Sequence, residues 1–210
     1  MLQQLKSISK HGIMPPSLDA HSACSHMTQF APDSLVVMGV AGCGKSTLAA
    51  AVAERVGRVW LEGDLFHSES NRCKMAQGQA LTDEDRSSWL ASICAQLQQH
   101  PGGVIVACSA LKRAYRDQLR QASRGLRFAF LDIDRSEASR RVSARGGHFF
   151  AASLIDSQFE TLQSPVGERG VLHLDGVKPL TELTVEVCCW LHPSVPEASL
   201  HQSPHGGQQP

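Results

Sequence analysis

One stretch of the chain has the residue types and spacing of a loop that binds phosphate groups. It consists of Gly39, Val40, Ala41, Gly42, Cys43, Gly44, Lys45, Ser46 and Thr47. Its glycines let successive backbone N–H groups turn toward phosphate oxygens, and a helix that follows would add the positive end of its dipole. In this pattern Lys45 is predicted to reach the β- and γ-phosphates and Ser46 to bind Mg²⁺ through its hydroxyl. The stretch therefore predicts a site for a nucleoside triphosphate.

A carboxylate follows the second predicted strand, in the segment Glu62-Gly63-Asp64. In parallel sheets, ligands bind beyond the carboxyl ends of the strands, so Asp64 is expected to face Lys45. There it would orient an acceptor hydroxyl and take its proton as the phosphoryl group is transferred. Glu62 would hold Mg²⁺ through water. An alternative and compatible role for Asp64 is the N-cap of a helix that starts near Ser68.

Short apolar runs that alternate with helical patterns must position these residues. Strands are predicted at 35–38, 59–61, 104–108, 128–131 and 171–174, and helices at 46–56, 83–98, 114–121, 136–144, 152–162 and 180–191. The strands are almost continuously apolar, which is typical of a parallel sheet covered on both faces. Strand–helix alternation with right-handed crossovers predicts a doubly wound α/β domain.

Composition limits the class of protein. The 210 residues include 20 Lys+Arg and 20 Asp+Glu, and this zero formal charge argues against a nucleic-acid partner. No apolar run is long enough to cross a membrane, so no membrane partner is expected. Seven cysteines form an odd set without metal-ligand spacing, which favours free thiols in the reducing cytoplasm.

Both ends of the chain differ from its middle. Residues 1–33 lack sustained periodicity and contain no arginine, so a disordered N-terminal extension is favoured over a transit peptide. Residues 192–210 contain four prolines, three histidines and a Gly-Gly pair, which predicts a disordered C-terminal tail. One domain is therefore expected at 34–191.

Five blocks, in order through this domain, resemble the gluconokinase family. The first two are the phosphate loop and Glu62-Gly63-Asp64 with His67, Asn71, Lys74 and Met75. The others are 81–86 with Trp89 and Leu90, 108–112 with 115–117, and Gly147-His148-Phe149-Phe150 followed by 157–162. The phosphate loop occurs in many families, whereas the Cys-Ser-Ala-Leu-Lys and Gly-His-Phe-Phe blocks are far more specific.

The resemblance implies a reaction, a fold and cofactors. The reaction is transfer of the γ-phosphoryl group of ATP, with Mg²⁺, to D-gluconate. The fold is the three-layer P-loop kinase fold of shikimate and adenylate kinases, with a five-stranded parallel sheet, helices on both faces and a mobile lid. Adenine would be read by backbone near 175–179, and a homodimer is expected because many relatives are dimers.

The chemistry of such a substrate also predicts a set of binding and lid residues. Gluconate is a polyol anion whose carboxylate needs a cation. The substrate-binding candidates are Asp64, His67, Lys74, Arg86, Lys112, Arg116 and His148, and further cations at Arg72 and Arg113 lie in the same segments. In the predicted lid, Arg145 is expected to stabilise the charge that develops on the transferred phosphoryl group, with Arg141 the second choice. His148 would either touch the substrate or order the closed lid.

Two alternatives stay open beside gluconate phosphorylation. One is a kinase for another small hydroxy acid, such as shikimate, on the same scaffold. The other is a non-catalytic nucleotide-binding module. A switch GTPase is excluded because the guanine-reading string Asn-Lys-x-Asp is absent, and a dinucleotide site is excluded because Thr47 stands where its third glycine belongs.

Overall fold

The computed structural model describes residues 34–144 and 152–192, with backbone alone for 152 and 153. Its centre is a five-stranded parallel sheet in the order β2-β3-β1-β4-β5. The strands are β1 Leu35–Met38, β2 Trp60–Glu62, β3 Ile105–Ala107, β4 Arg127–Asp132 and β5 Val171–Asp175. The α/β class and the parallel sheet are confirmed, and each strand lies within one residue of its predicted limits.

Seven α-helices accompany the sheet within the described ranges. They are α1 Lys45–Val56, α2 Glu69–Ala76, α3 Asp83–Gln99, α4 Arg113–Ala122, α5 Arg135–Ala144, α6 Ala152–Thr161 and α7 Leu180–Leu191. All but α2 were predicted to within one residue at each end. The N-cap of α2 is Ser68, whose hydroxyl accepts a hydrogen bond from the Asn71 N–H at 3.2 Å, so the alternative role of Asp64 as this cap is wrong.

The core forms two layers of apolar side chains, one on each face of the sheet. The four residues of β1 are 0% exposed, because the strand is covered on both sides. On one face, Leu48 of α1 and Val187 of α7 pack against it, and on the other Ile93 of α3 and Leu119 of α4 do so. Helices on both faces make the predicted three-layer architecture.

The carboxyl edge of the sheet collects the loops that follow the strands. Register pairs place the end of β1 beside the end of β3 and beside Phe130 of β4, and the end of β2 beside that of β3. Gly63, which directly follows β2, lies so close to β3 that a Cβ there would collide with the carbonyl oxygen of Ala107. A glycine is therefore required at this point for Asp64 to reach the same edge as the phosphate loop.

Several predictions concern parts of the chain beyond the described residues. These are the N-terminal extension at 1–33, most of the C-terminal tail, and the lid segment with Arg145 and His148. Among the helices that the structure describes, none combines the length and the apolar character needed to traverse a bilayer.

Candidate active site

A cavity of about 560 Å³ opens at the carboxyl edge of the sheet. The phosphate loop, the segment after β2, the first two turns of α3 and the helix α6 form its walls. Residues with polar side chains that line it include Lys45, Ser46, Glu62, Asp64, His67, Gln79, Arg86, Ser109 and Gln158. Cations and carboxylates from distant parts of the chain therefore share one space.

The phosphate loop is shaped for an anion. Gly44 takes the N-cap position of α1 with φ +102°, a left-handed conformation that favours glycine, so the loop turns sharply into the helix. Lys45 Nζ donates to the Val40 carbonyl oxygen at 3.0 Å, which folds the side chain back over the loop. Cys43 is buried, and this burial raises the pKa of its thiol. The loop thus presents backbone donors and one ammonium group to a phosphate.

A second cavity, of about 300 Å³, lies on the other side of the same loop. Gly176 and Lys178, in the turn after β5, form part of its wall together with Arg141 of α5. Gly42 and Gly44 line both cavities. A ligand with a large group at one end and a chain of phosphates could therefore extend from one cavity to the other across the loop.

Arg141 is held against the phosphate loop from outside. Its Nη1 donates to the carbonyl oxygen of Cys43 at 3.4 Å, and its Nε donates to Glu137 at 2.5 Å. Hydrogen bonds from Arg140 and Arg141 lower the pKa of Glu137 to about 2. The carboxylate therefore stays charged and keeps Arg141 beside the loop.

Asp64 lies in a short 3₁₀ turn, Gly63–Phe66, immediately after β2. The indole Nε1 of Trp89, a buried residue in the second turn of α3, donates to the Gly63 carbonyl oxygen at 2.8 Å, which fixes this turn to the helix. Asp64 and Glu62 line the same cavity as Lys45 and Ser46. The sequence placed Asp64 and Lys45 at the same edge of the sheet, and both line this cavity.

His67 is packed flat against Trp89, with ring centroids 4.6 Å apart and planes 7° from parallel. Burial lowers the pKa of the imidazole, with smaller opposing and supporting effects from Asp64 and Arg86. Its Nδ1 lies 3.5 Å from the Asn71 amide nitrogen, and that amide donates to the Asp85 carbonyl oxygen at 2.6 Å. At neutral pH the ring is therefore an uncharged, oriented hydrogen-bonding group at the cavity wall.

The six cations predicted near the substrate are separated by the structure. Only Arg86 among them lines the first cavity. Lys74 Nζ binds Asp85 at 2.6 Å, and Lys112 Nζ binds both carboxylate oxygens of Asp83 at 2.7 Å. Arg72 donates to the carbonyl oxygen of His67 at 2.9 Å, and Arg113 lies 3.8 Å from Asp117.

Asp83 lies between Lys112 and Arg86, the cation that lines the first cavity. Besides Lys112 it accepts a very short hydrogen bond from the Tyr115 hydroxyl, and these two donors lower the pKa of its carboxyl group. Arg86 Nη1 lies 3.9 Å from the same carboxylate. Since Lys112 and Tyr115 already occupy the oxygens of Asp83, Arg86 has charge available for an anion in the cavity.

The prediction that Arg116 binds the substrate is wrong, because its side chain is 0% exposed and cannot contact a substrate. Its guanidinium donates to the carbonyl oxygens of Ala110, Leu111 and Gln163 and binds Glu168 at 2.5 Å. Hydrogen bonding to Arg116 is the largest cause that lowers the pKa of Glu168 to about 2. Arg116 therefore fastens the loop before β5 to α4, a structural role that a surface-charge pattern does not reveal.

The oxygen-bearing side chains of the first cavity fit a Mg²⁺ ion whose other ligands come from a bound nucleotide and water. Within the described residues, no group of three or more His, Cys, Asp or Glu side chains is arranged to hold a metal ion. Mg²⁺ commonly uses few protein ligands and completes its shell with phosphate oxygens and water. The hydroxyl of Ser46 and the carboxylate of Glu62, which line one cavity, fit that manner of binding.

Gln158 is a cavity residue to which the sequence assigned no role. Its Oε1 accepts a hydrogen bond from the Ala41 N–H at 2.7 Å, across 117 positions of sequence. The only signal for it was its place in the block 157–162, which resembles the family but carries no chemical pattern of its own.

Comparison with known proteins agrees with this geometry. A family model described as an AAA domain matches residues 35–165. The gluconokinase of Gluconobacter oxydans (strain 621H) is 42% identical over 158 residues, which span 73% of this chain and 89% of that protein. The chain belongs to the gluconokinase family. Thermoresistant gluconokinase of Escherichia coli (strain K12), another relative, is 42% identical over 159 residues, or 72% of this chain and 91% of that one.

A solved structure extends the likeness to three dimensions. The crystal structure of a gluconokinase from Sinorhizobium meliloti 1021 superposes with a TM-score of 0.73 at 44% identity, and the match covers 78% of this chain and 93% of that one. The family resemblance that the five sequence blocks indicated is therefore confirmed, together with the P-loop kinase fold.

Proposed function

We propose that the protein transfers the γ-phosphoryl group of ATP to D-gluconate, yielding 6-phospho-D-gluconate and ADP. The observation that carries this proposal is the meeting of Lys45, Asp64 and Arg86 in one cavity beside the phosphate loop. A phosphate-binding cation, a base for a hydroxyl and a cation for a carboxylate are the three functions that such a reaction requires. Family membership supports the same substrate.

In the proposed complex, ATP lies across the phosphate loop. The second cavity receives the base, next to Gly176 and Lys178, and the phosphates pass over Gly42 and Gly44 into the first cavity. Lys45 exchanges the Val40 carbonyl for β- and γ-phosphate oxygens. Mg²⁺ beside Ser46 would neutralise charge that develops on these phosphates.

In the proposed complex, gluconate lies in the first cavity, and its two ends bind different residues. Its carboxylate pairs with Arg86, and its C6 hydroxyl donates to Asp64. As the hydroxyl oxygen bonds to the γ-phosphorus and the bond to the ADP oxygen breaks, the Asp64 carboxylate takes the proton. The neutral His67 ring is positioned to bind a hydroxyl of the polyol chain.

Roles for the residues beyond the described part of the chain remain within the proposal. Arg145 would stabilise the transferred phosphoryl group, and His148 would contact the substrate or order the segment. Arg141, held at the phosphate loop, would bind the nucleotide from the side of the second cavity.

The proposed setting is a single catalytic domain at 34–191 in the cytoplasm. The six cysteines within the described ranges are all free thiols, the state that a reducing compartment maintains. A homodimer is proposed on the resemblance alone, and light scattering of the purified protein would test it.

The deciding experiment measures ADP release with ATP and Mg²⁺ over a panel of gluconate, other sugar acids, shikimate and AMP. Selective turnover of gluconate would support both substrate and reaction. Turnover of a different acid would keep the phosphate chemistry but overturn the role of Arg86 toward gluconate. Binding of ATP without turnover of any acceptor would favour a non-catalytic nucleotide-binding module.

A further inference from the structure

One peptide group of the phosphate loop is held at both of its polar ends by side chains. Lys45 Nζ donates to the carbonyl oxygen of Val40 at 3.0 Å. The next atom of that peptide, the Ala41 N–H, donates to Gln158 Oε1 at 2.7 Å. The lysine of the phosphate loop and a glutamine of α6 are therefore joined through a single peptide unit.

This hydrogen bond determines how the Gln158 amide is turned. An N–H donor requires an oxygen acceptor, so Oε1 faces the loop and Nε2 is directed away from it. Among the described residues, Nε2 has no hydrogen-bond partner, and the side chain lines the first cavity. The amide thus keeps two uncharged N–H donors for a ligand.

The place of Ala41 identifies which part of a ligand these donors would meet. Gly42 and Gly44 line both cavities, whereas Ala41 lines the first one, together with Lys45 and Asp64. Gln158 therefore lies on the side of the loop that faces the proposed gluconate site, where the terminal phosphate of a triphosphate would meet the attacking hydroxyl. A diphosphate, which ends one phosphate earlier, would not extend so far.

We propose that Gln158 is a further phosphate-binding residue, anchored on Ala41 through Oε1 and donating through Nε2 to the γ-phosphate. The inference deepens the proposed function and rests on its use of a nucleoside triphosphate. It assigns α6 a direct part in distinguishing ATP from ADP. Lys45 and Gln158 would then flank the transferred phosphoryl group with one charged and one neutral donor.

The test compares nucleotide affinities of Gln158→Glu and Gln158→Ala without any acceptor. Glutamate keeps an oxygen for the Ala41 N–H but replaces the two donors with a charged acceptor, whereas alanine removes both interactions. Calorimetry would measure binding of ADP and of a non-hydrolysable ATP analogue. For Q158E we expect at least about a tenfold loss for the ATP analogue and less than about a threefold change for ADP.

A matched control is Gln163→Glu. Gln163 Oε1 likewise accepts a backbone N–H, that of Arg113 at 2.7 Å, but it lies outside both nucleotide cavities. This variant is expected to bind both nucleotides as the unaltered protein does. Q158A should lose ATP-analogue affinity while retaining most ADP affinity, and its circular dichroism should match that of the unaltered protein.

Two outcomes would overturn this inference alone. One is unchanged binding of the ATP analogue by Q158E, which would show that Nε2 makes no contact with the terminal phosphate. The other is an equal loss of ADP and ATP-analogue affinity, which would assign Gln158 a purely structural role on the loop. Because gluconate is omitted, failure of the substrate assignment leaves these results intact. Failure of the unaltered protein to bind the triphosphate would overturn both proposals together.

Discussion

The indole of Trp89 donates its N–H to the carbonyl oxygen of Gly63 at 2.8 Å, one residue before Asp64. Trp89 is 1% exposed and also stacks on His67, so one rigid side chain supports two residues of the cavity wall. The start of α3 is therefore connected to the acceptor side of the site by a directional bond and an aromatic contact.

Replacing Trp89 with phenylalanine should lower kcat by a larger factor than it raises the KM for ATP or the KM for gluconate. The ring still packs against His67, but the Gly63 carbonyl loses its buried donor and the turn that carries Asp64 is less firmly held. We expect kcat to fall about tenfold and the free energy of unfolding to fall by about 1–2 kcal/mol. Trp190→Phe, on α7 above Arg127, is the matched control. A W89F protein that loses only stability would contradict the positioning role.

Asp64→Asn should reduce kcat by about 10²–10⁴-fold because the amide cannot accept the hydroxyl proton. Nucleotide affinity should be nearly unchanged, since the phosphate loop is untouched. Steady-state turnover with gluconate and calorimetry with ADP would measure the two quantities. Asp117→Asn, on the exposed side of α4, serves for comparison. Near-normal kcat in D64N would refute the assignment of Asp64 as general base.

Lys45→Ala should abolish turnover, because it removes the ammonium group of the phosphate loop that would stabilise the charge developing on the β- and γ-phosphates. ADP release in the presence of ATP, Mg²⁺ and gluconate is the measurement. Thermal unfolding should confirm that the variant is folded, since Lys45 contributes one hydrogen bond to the Val40 carbonyl in this structure. Substantial residual turnover would mean that another cation neutralises the γ-phosphate.

Arg86→Met should raise KM for gluconate by about 10–100-fold, the effect of losing a charge-assisted hydrogen bond to a carboxylate. KM for ATP should stay within about twofold. The control is Arg113→Met, because Arg113 is an exposed cation of the same predicted group. If Lys112→Met had the larger effect on KM for gluconate, the carboxylate anchor would be Lys112, released from Asp83 on binding.

Glu168→Gln should destabilise the protein at neutral pH but not in strong acid. The folded-state pKa of Glu168 is lowered to about 2, below its usual value near 4.3 in an unfolded chain, chiefly by hydrogen bonding to Arg116. The contribution of ionised Glu168 to the free energy of unfolding is therefore present above about pH 5 and is lost as the pH falls toward 2. We expect a loss of about 3 kcal/mol at pH 7, because the buried Arg116 keeps its charge without a carboxylate to balance it.

Urea unfolding at pH 7 and at pH 2–3 would measure this difference. Glu54→Gln, on the exposed face of α1, should show little effect at either pH. A destabilisation of E168Q that is equal at both pH values would indicate lost packing rather than a lost ion pair.

Much of the fold could be predicted because its determinants are local in the sequence. The apolar runs of the strands and the helical patterns between them predicted elements within one residue of those observed, and parallel strands bring their carboxyl ends to one edge. The positions of Lys45, Ser46 and Asp64 in one cavity follow from that rule. The helix α2 was predicted only as a helix that starts near Ser68, without an end, because its composition is polar and it buries only Asn71.

Tertiary structure decided which of the predicted cations lines the first cavity and which amide reaches the phosphate loop. The sequence does not distinguish Arg86, Lys112 and Arg116, because each is a cation in a segment that follows a strand. In the structure, Lys112 binds Asp83, 29 positions away along the chain. Arg116 is held in the core by Glu168, which is 52 positions away. Gln158 meets Ala41 across 117 positions. The sequence by itself determined the phosphate loop, the parallel sheet and the place of Asp64 at its edge. Pairing between distant charges depends on how helices pack, and no local pattern records it.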